Sequence, residues 1–179
     1  MTDPSPLASV LASIQARGAI GTSTIEEAIA HAGRFVSQVP AGPGTLADLG
    51  SGGGLPGLVI AVARPDLQVT LVERRQQRAD LLRRAVAALE LGDRVVVHGE
   101  DVATLARVAA GTFSVVTARS FAAPAVTAKW ASVLLREGGL LLVSEPPEPD
   151  PARWPVVLLQ PLHLEDRGAE QGIRGFVRR

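Results

Sequence analysis

Asp48-Leu49-Gly50-Ser51-Gly52-Gly53-Gly54-Leu55-Pro56-Gly57 decides how the rest of this 179-residue chain is read. A β-prone apolar run, Thr45 to Leu49, leads into it, and a helix-prone apolar run follows. Glycines recur at Gly50, Gly52 and Gly54, where they let the backbone take positive φ and come close to a bound molecule. Pro56 stands where a helix would start, and there its missing N–H is harmless. Strand, glycine-rich turn and helix in this order make a ligand-binding turn of an α/β protein.

Two ligand classes compete for such a turn. Gly52-Gly53-Gly54-Leu55-Pro56-Gly57 fits G-x-G-x-x-G, the pattern of dinucleotide sites. That pattern wants its first glycine at the strand end, with a pyrophosphate on the helix N-terminus. Here the strand ends at Gly50, two residues early, and Asp48 adds a carboxylate that repels a pyrophosphate. The same carboxylate attracts the ammonium of a methionine moiety, directly or through water. The longer acid-x-Gly-x-Gly-x-Gly pattern therefore reads as the nucleoside-binding turn of a class I S-adenosylmethionine-dependent methyltransferase. A glycine-rich loop with no ligand is the bland alternative.

The remaining chain supplies the matching scaffold. Strands are expected at Leu46–Leu49, Val69–Glu73, Val95–His98, Phe113–Thr117 and Leu140–Ser144. Helices are expected at Pro56–Ala63, Gln76–Leu91, Val102–Ala109 and Ala123–Leu135. Alternation with short turns means βαβ units and a mainly parallel, Rossmann-like sheet. Ahead of it, Ser5-Pro6 opens one helix that ends at Gly18. Ser23 with Glu26 as a capping box opens a second that stops before Pro40. The expected organisation is a single domain, with residues 1–40 as a helical cap and 44–179 as the core. After Gly138-Gly139 and a proline-rich loop from Pro146 to Pro155, Val156–Gln160 and Ile173–Arg178 are expected as an antiparallel pair.

Composition narrows the classes further. The apolar fraction is 46%, no apolar run reaches membrane-spanning length, and no basic-then-apolar leader pattern is present. With no cysteine and three scattered histidines, neither disulfides nor a metal site is expected, and a cytoplasmic enzyme is the default. The formal charge is zero, which argues against binding nucleic acid by bulk charge but leaves room for a local basic face. Seventeen of the eighteen basic residues are arginine, which suits phosphate contacts. Only 3% aromatics argues against a platform that stacks several bases.

Ligands bind such sheets at the carboxyl ends of the strands. The first strand ends in the glycine turn and the second at Glu73, whose carboxylate can accept two ribose hydroxyls; Arg74 beside it joins the candidate cofactor contacts. The third ends at Glu100-Asp101-Val102, where an acid can accept from an adenine amino group and a backbone N–H can address the ring. Asp101 can equally cap the next helix. The fourth ends at Thr117-Ala118-Arg119-Ser120-Phe121, which holds no His, Asp, Glu or Lys. Guanine N7 has a lone pair and no proton to lose, so its methylation needs alignment and not a base. Arg119 can orient cofactor or substrate, or serve as a structural ion pair.

These segments together resemble the bacterial ribosomal RNA small subunit methyltransferase G family, also called glucose-inhibited division protein B. The resemblance rests on Asp48–Gly57, on Ala63-Arg64-Pro65-Asp66 with Val69–Glu73, on Val116-Thr117-Ala118-Arg119, on Trp130 to Leu142 and on Ile173–Arg179. It implies S-adenosyl-L-methionine as cofactor and N7 of a guanine in small-subunit ribosomal RNA as acceptor. It also implies that Gly50, Leu55, the Asp101–Val102 region and Arg119 contact the cofactor; Asp48, Gly52, Gly54, Glu73, Arg74 and Glu100, read from the turn and the strand ends, complete the candidate site. The chain departs from the family at Arg17-Gly18-Ala19, where Asn-Leu-Thr is usual, and at Arg34-Phe35, where Asp-Ser is usual. It departs again at Ser144-Glu145-Pro146, where Leu-Lys-Gly is usual, a charge reversal expected near the RNA face. A methyltransferase acting on a small molecule, or a non-catalytic protein that binds S-adenosylmethionine, are the alternatives. A basic patch joining Arg74, Arg75 and Arg78 to Arg178-Arg179 would favour RNA.

Overall fold

Side-chain caps set where the N-terminal helices begin. Ser5 accepts from the Ala8 N–H at the start of α1 (Pro6–Gln15). Thr24, with Glu27 reaching back to its N–H, caps α2 (Ile25–Val36). The sequence offers two overlapping capping boxes, and the structure uses the one a residue later than Ser23 and Glu26. That register turns Ala28, Ala32 and Phe35 inward. The computed structural model describes residues 5–148 and 150–179. Met1–Pro4 of the expected cap and Pro149 of the proline-rich loop lie outside the described residues.

From Gly44 the chain alternates: β1 (Gly44–Leu49), α3 (Gly57–Ala63), β2 (Leu67–Val72), α4 (Gln76–Ala88), β3 (Val95–His98), α5 (Val102–Ala109), β4 (Phe113–Ala118), α6 (Pro124–Leu134) and β5 (Leu135–Ser144). A short helix, α7 (Val156–Leu159), and a hairpin of β6 (Leu164–Glu170) and β7 (Ile173–Arg178) complete it. The seven strands run in the order β3-β2-β1-β4-β5-β7-β6; β1 to β5 are parallel, and β7 is antiparallel to β5 and β6. The order reverses between β1 and β4, which opens a crevice at their carboxyl ends.

Strand side chains alternate between two cores. Leu46, Val115 and Leu142 face a cluster shared with α1, α2, α3 and α4, whereas Ala47, Val116 and Leu141 face one shared with α5, α6 and α7. Phe35 of α2 is fully buried in the first cluster, a contribution of about 1.5–3 kcal/mol. Arg64, in one of the segments that carries the family resemblance, is a brace: its guanidinium donates to the Val39, Pro40 and Gly42 carbonyls and to Asp66. It pins the α2–β1 connection to the end of α3.

Two expectations change. Val156–Gln160 is not a strand; Val156–Leu159 is helical, and β7 pairs instead with Leu164–Glu170. The β-branched run folds this way because Trp154 and Leu159 are buried, with the Trp154 ring 4.8 Å from Phe176. That anchoring outweighs the strand preference of Val156 and Val157, which stay exposed. β5 starts at Leu135 and not after Gly138-Gly139, because Leu135 pairs with Phe113 and a bulge absorbs the glycines before Leu140 meets Val115.

Candidate active site

The glycine turn is held from beneath, from the side and from above. Beneath it, Asp48 pairs in register with Thr117 across β1 and β4. The Thr117 hydroxyl donates to Oδ1 of Asp48 at 2.8 Å, and the Gly57 N–H donates to Oδ2 at 3.1 Å. The carboxylate is fully buried. It therefore lies behind the turn and ties the two strands at the switch point. Burial pushes the Asp48 carboxyl up to about 6, against the pull of the Thr117, Ser51 and Gly57 hydrogen bonds and of nearby Arg119.

A pH dependence follows. The folded Asp48 carboxyl titrates at about 6 and the unfolded one near 3.8, so the folded state holds the extra proton between those values. The contribution of Asp48 to stability is thus greatest at low pH and falls as pH rises from about 4 to 6, by about 3 kcal/mol. Asp48→Asn should remove that slope. Urea denaturation across this range checks it, and an unchanged slope in the variant would assign the dependence to other groups.

From the side, Glu73 follows β2 and accepts the Gly52 N–H (3.1 Å) and the Arg75 N–H (2.8 Å), one on each oxygen. It bridges the turn to the start of α4, and each oxygen keeps a lone pair for another donor. From above, the α1–α2 linker lies on Gly53: a Cβ there would collide with Ile20 and stand 2.8 Å from the Ala19 carbonyl oxygen. Gly50, at φ +66°, is covered by the Phe121 ring, which a Cβ would meet at 2.8 Å. Gly54 and Leu55 are packed inward, Gly54 against Leu58 and Leu82.

The carboxyl ends of β1 to β4 enclose a cavity of about 290 Å³. Gly50, Glu73, Arg74, Glu100, Asp101 and Val102 of the expected site line it. Its other end is apolar, formed by Phe121, Val126 and Trp130, which the sequence reading did not single out. Only the position of Phe121 just past a strand end offered a signal. Asp101 caps α5 through the Ala103 N–H (2.9 Å), with its second oxygen 3.8 Å from Arg74.

A second cavity, of about 690 Å³, adjoins the first at Ser120, which lines both and sits in the left-handed region at φ +53°. Arg119 lines this second cavity, with His31 and Arg34 from α2, and Glu145 and Arg153 from the other side. The Arg119 guanidinium is half-buried, and burial lowers its pKa, partly offset by Asp48. Among the described residues it makes no ion pair. Burial, then Arg119 and Arg34, lower the His31 pKa and favour the neutral imidazole.

Glu145, though it lines the second cavity, is not a free charge there. It accepts from the Trp154 indole N–H at 2.7 Å and from Arg153 at 3.3 Å, and its side chain is 1% exposed. The cation at this cavity wall is Arg153. Nor do Arg178-Arg179 extend the patch of Arg74, Arg75 and Arg78: β7 lies beyond β5, four positions from β2 in the sheet, and Arg179 pairs with Glu165.

An α/β sheet in this order, with a glycine turn after β1 and acids after β2 and β3, defines the class I methyltransferase fold. Solved structures agree on the fold: geranyl diphosphate C-methyltransferase from Streptomyces coelicolor A3(2) has a TM-score of 0.63 at 15% identity, covering 84% of this chain and 79% of that one. An O-methyltransferase family protein from Burkholderia thailandensis has a TM-score of 0.61 at 16% identity, covering 80% of this chain and 53% of that one. Residues 11–145 match the family model for rRNA small subunit methyltransferase G, and the chain belongs to that family. Proteins named Ribosomal RNA small subunit methyltransferase G include one from Mycobacterium sp. (strain KMS), 42% identical over 97 residues, which are 54% of this chain and 43% of that protein. One from Stenotrophomonas maltophilia is 38% identical over 134 residues, 72% of this chain and 62% of that protein. The chain spans about half the length of the curated relatives it matches.

Proposed function

We propose that the protein binds S-adenosyl-L-methionine in the smaller cavity and methylates N7 of a guanine in small-subunit ribosomal RNA, presented in the larger one. The observation that carries this reading is the junction at Ser120, where a nucleoside-sized cavity with paired acids opens into a cavity lined by Arg34, Arg119 and Arg153. The donor set fits the cofactor. Glu73 has free lone pairs for two ribose hydroxyls, Asp101 and the Val102 backbone can address the adenine edge, and Phe121 keeps water from Gly50. The bound cofactor supplies an electrophilic methyl group on a sulfonium. Arg119 then orients the acceptor by its charge, and no residue of the β4 end removes a proton. A reaction on ribosomal subunits would take place in the cytoplasm; no helix among the described residues is long and apolar enough to cross a membrane.

His31 favours a second reading. It comes from α2 into the acceptor cavity as a neutral imidazole, which could serve as a base for a proton-bearing acceptor, including a small molecule. The test is transfer of a labelled methyl group to small subunits lacking the modification, followed by nucleoside mass spectrometry and a rate profile from pH 5.5 to 8.5. N7-methylguanosine should appear, with no rise in rate through an imidazole titration. Arg119→Ala should cut transfer at least tenfold while binding S-adenosylhomocysteine within a few-fold of wild type. No label on subunits or RNA, with label on a small-molecule panel, would replace this reading by the second. Tight cofactor binding with no transfer to either would make the chain a binding protein.

A further inference from the structure

A groove of about 560 Å³ runs between the α1–α2 linker and α4 and shares no lining residue with the cavity of Arg119. Arg17, Arg75, Arg78 and Arg84 line it, and Arg75 and Arg78 also line the cofactor cavity, so the two are continuous. Among the described residues the only acid in its lining is Asp80, which is taken up by Arg83 at 2.7 Å. Among the described residues, seven of the seventeen arginines sit in ion pairs. Four of the remainder line this one groove. In a chain of zero formal charge that clustering is not a by-product of excess basic residues. Like charges held together on one wall repel unless an anion joins them.

The groove also says what kind of anion. From Arg75 to Arg84 the α4 wall runs about 14 Å at 1.5 Å per residue, too long for one phosphate. Among the described residues no aromatic side chain lines it, so these offer nothing on which to stack a base. Exposed arginines without a stacking surface match a phosphodiester backbone, which fixes position without reading sequence.

We infer that this groove is a phosphodiester subsite that holds the RNA backbone flanking the target nucleotide. The inference rests on the RNA reading above. Its test uses R17A/R84A, two arginines outside both the cofactor and acceptor cavities, and a control, R107A/R136A, two exposed arginines in no ion pair and in neither cavity nor the groove. Fluorescence anisotropy with in-vitro-transcribed small-subunit ribosomal RNA is measured from 50 to 200 mM KCl. R17A/R84A should bind about tenfold more weakly, with a salt slope shallower by about 0.7 per arginine removed, while the control keeps the wild-type slope. S-adenosylhomocysteine affinity, measured by calorimetry, should be the same in all three proteins. Wild-type RNA affinity in R17A/R84A would overturn the subsite and leave the RNA reading standing. Equal losses in both double variants would overturn it in favour of unspecific attraction. If the wild-type protein shows no salt-dependent RNA binding, the subsite and the RNA reading fall together.

Discussion

Glu145→Lys should be among the most damaging single substitutions in this protein, with a thermal midpoint lower by roughly 8–16 °C. The carboxylate is buried between the Trp154 indole N–H and the Arg153 guanidinium. Removing one partner of a buried pair costs about 3–5 kcal/mol. A lysine here adds to that by placing an ammonium against Arg153 and leaving the indole N–H without an acceptor. The corner from β5 to α7 hangs on this residue, and Trp154 would lose its seat against Phe176. Glu145→Gln, which keeps an acceptor for the indole, should lose much less. Differential scanning calorimetry of both variants decides the matter; a near-wild-type midpoint for Glu145→Lys would show that the clasp is not formed in solution. As a charge reversal expected near the RNA face, Glu145 on sequence grounds alone should give way to lysine with RNA binding improved or unchanged. The fold predicts a protein too damaged to show it.

Glu73→Ala should weaken S-adenosylhomocysteine binding by at least tenfold and up to about 150-fold, since hydrogen bonds to a charged group contribute about 1.5–3 kcal/mol. It should also lower the apo midpoint by a few degrees, because the Gly52 and Arg75 amides lose their acceptor. The two effects separate by comparison with Glu73→Gln, which keeps one acceptor oxygen and offers an amide in place of the second. Isothermal titration calorimetry on the folded variants reads the affinity. Wild-type affinity in a folded Glu73→Ala protein would reduce Glu73 to a brace for the turn.

The scaffold was legible because its signals are local. Val95–His98 and Val102–Ala109 match the structure end for end, since a short β-branched run and an Asp101 cap need no distant partner to be recognised. The strand ends that line the cofactor cavity followed from the same alternation. What was hidden depended on contacts between distant residues. Glu145 looked like a surface charge until Trp154 and Arg153 were brought to it. The burial of Asp48 was hidden too, because a sequence shows that an acid lies in a turn, not which side of the turn it occupies. His31 reaches the second cavity only through the packing of α2 on the sheet, whereas in the sequence it is one of three scattered histidines with nothing to set it apart as a site residue. Val156–Leu159 carried a genuine strand preference that the burial of Leu159 and Trp154 reversed.

Gly53 sets the lower limit on how much chain the site requires. By topology the sheet begins at Gly44, and a cut there would leave every strand pairing in place. Yet Ala19 and Ile20 rest on the backbone of the glycine turn, and their neighbour Arg17 lines the groove next to it. The turn is a joint between two segments, with its clearance set by the one hydrogen atom that glycine carries where other residues carry carbon. Grafting the turn onto another sheet, or trimming the helices before β1, would move an ordering task now performed by the linker onto the ligand itself, which would then have to supply that ordering entropy on binding.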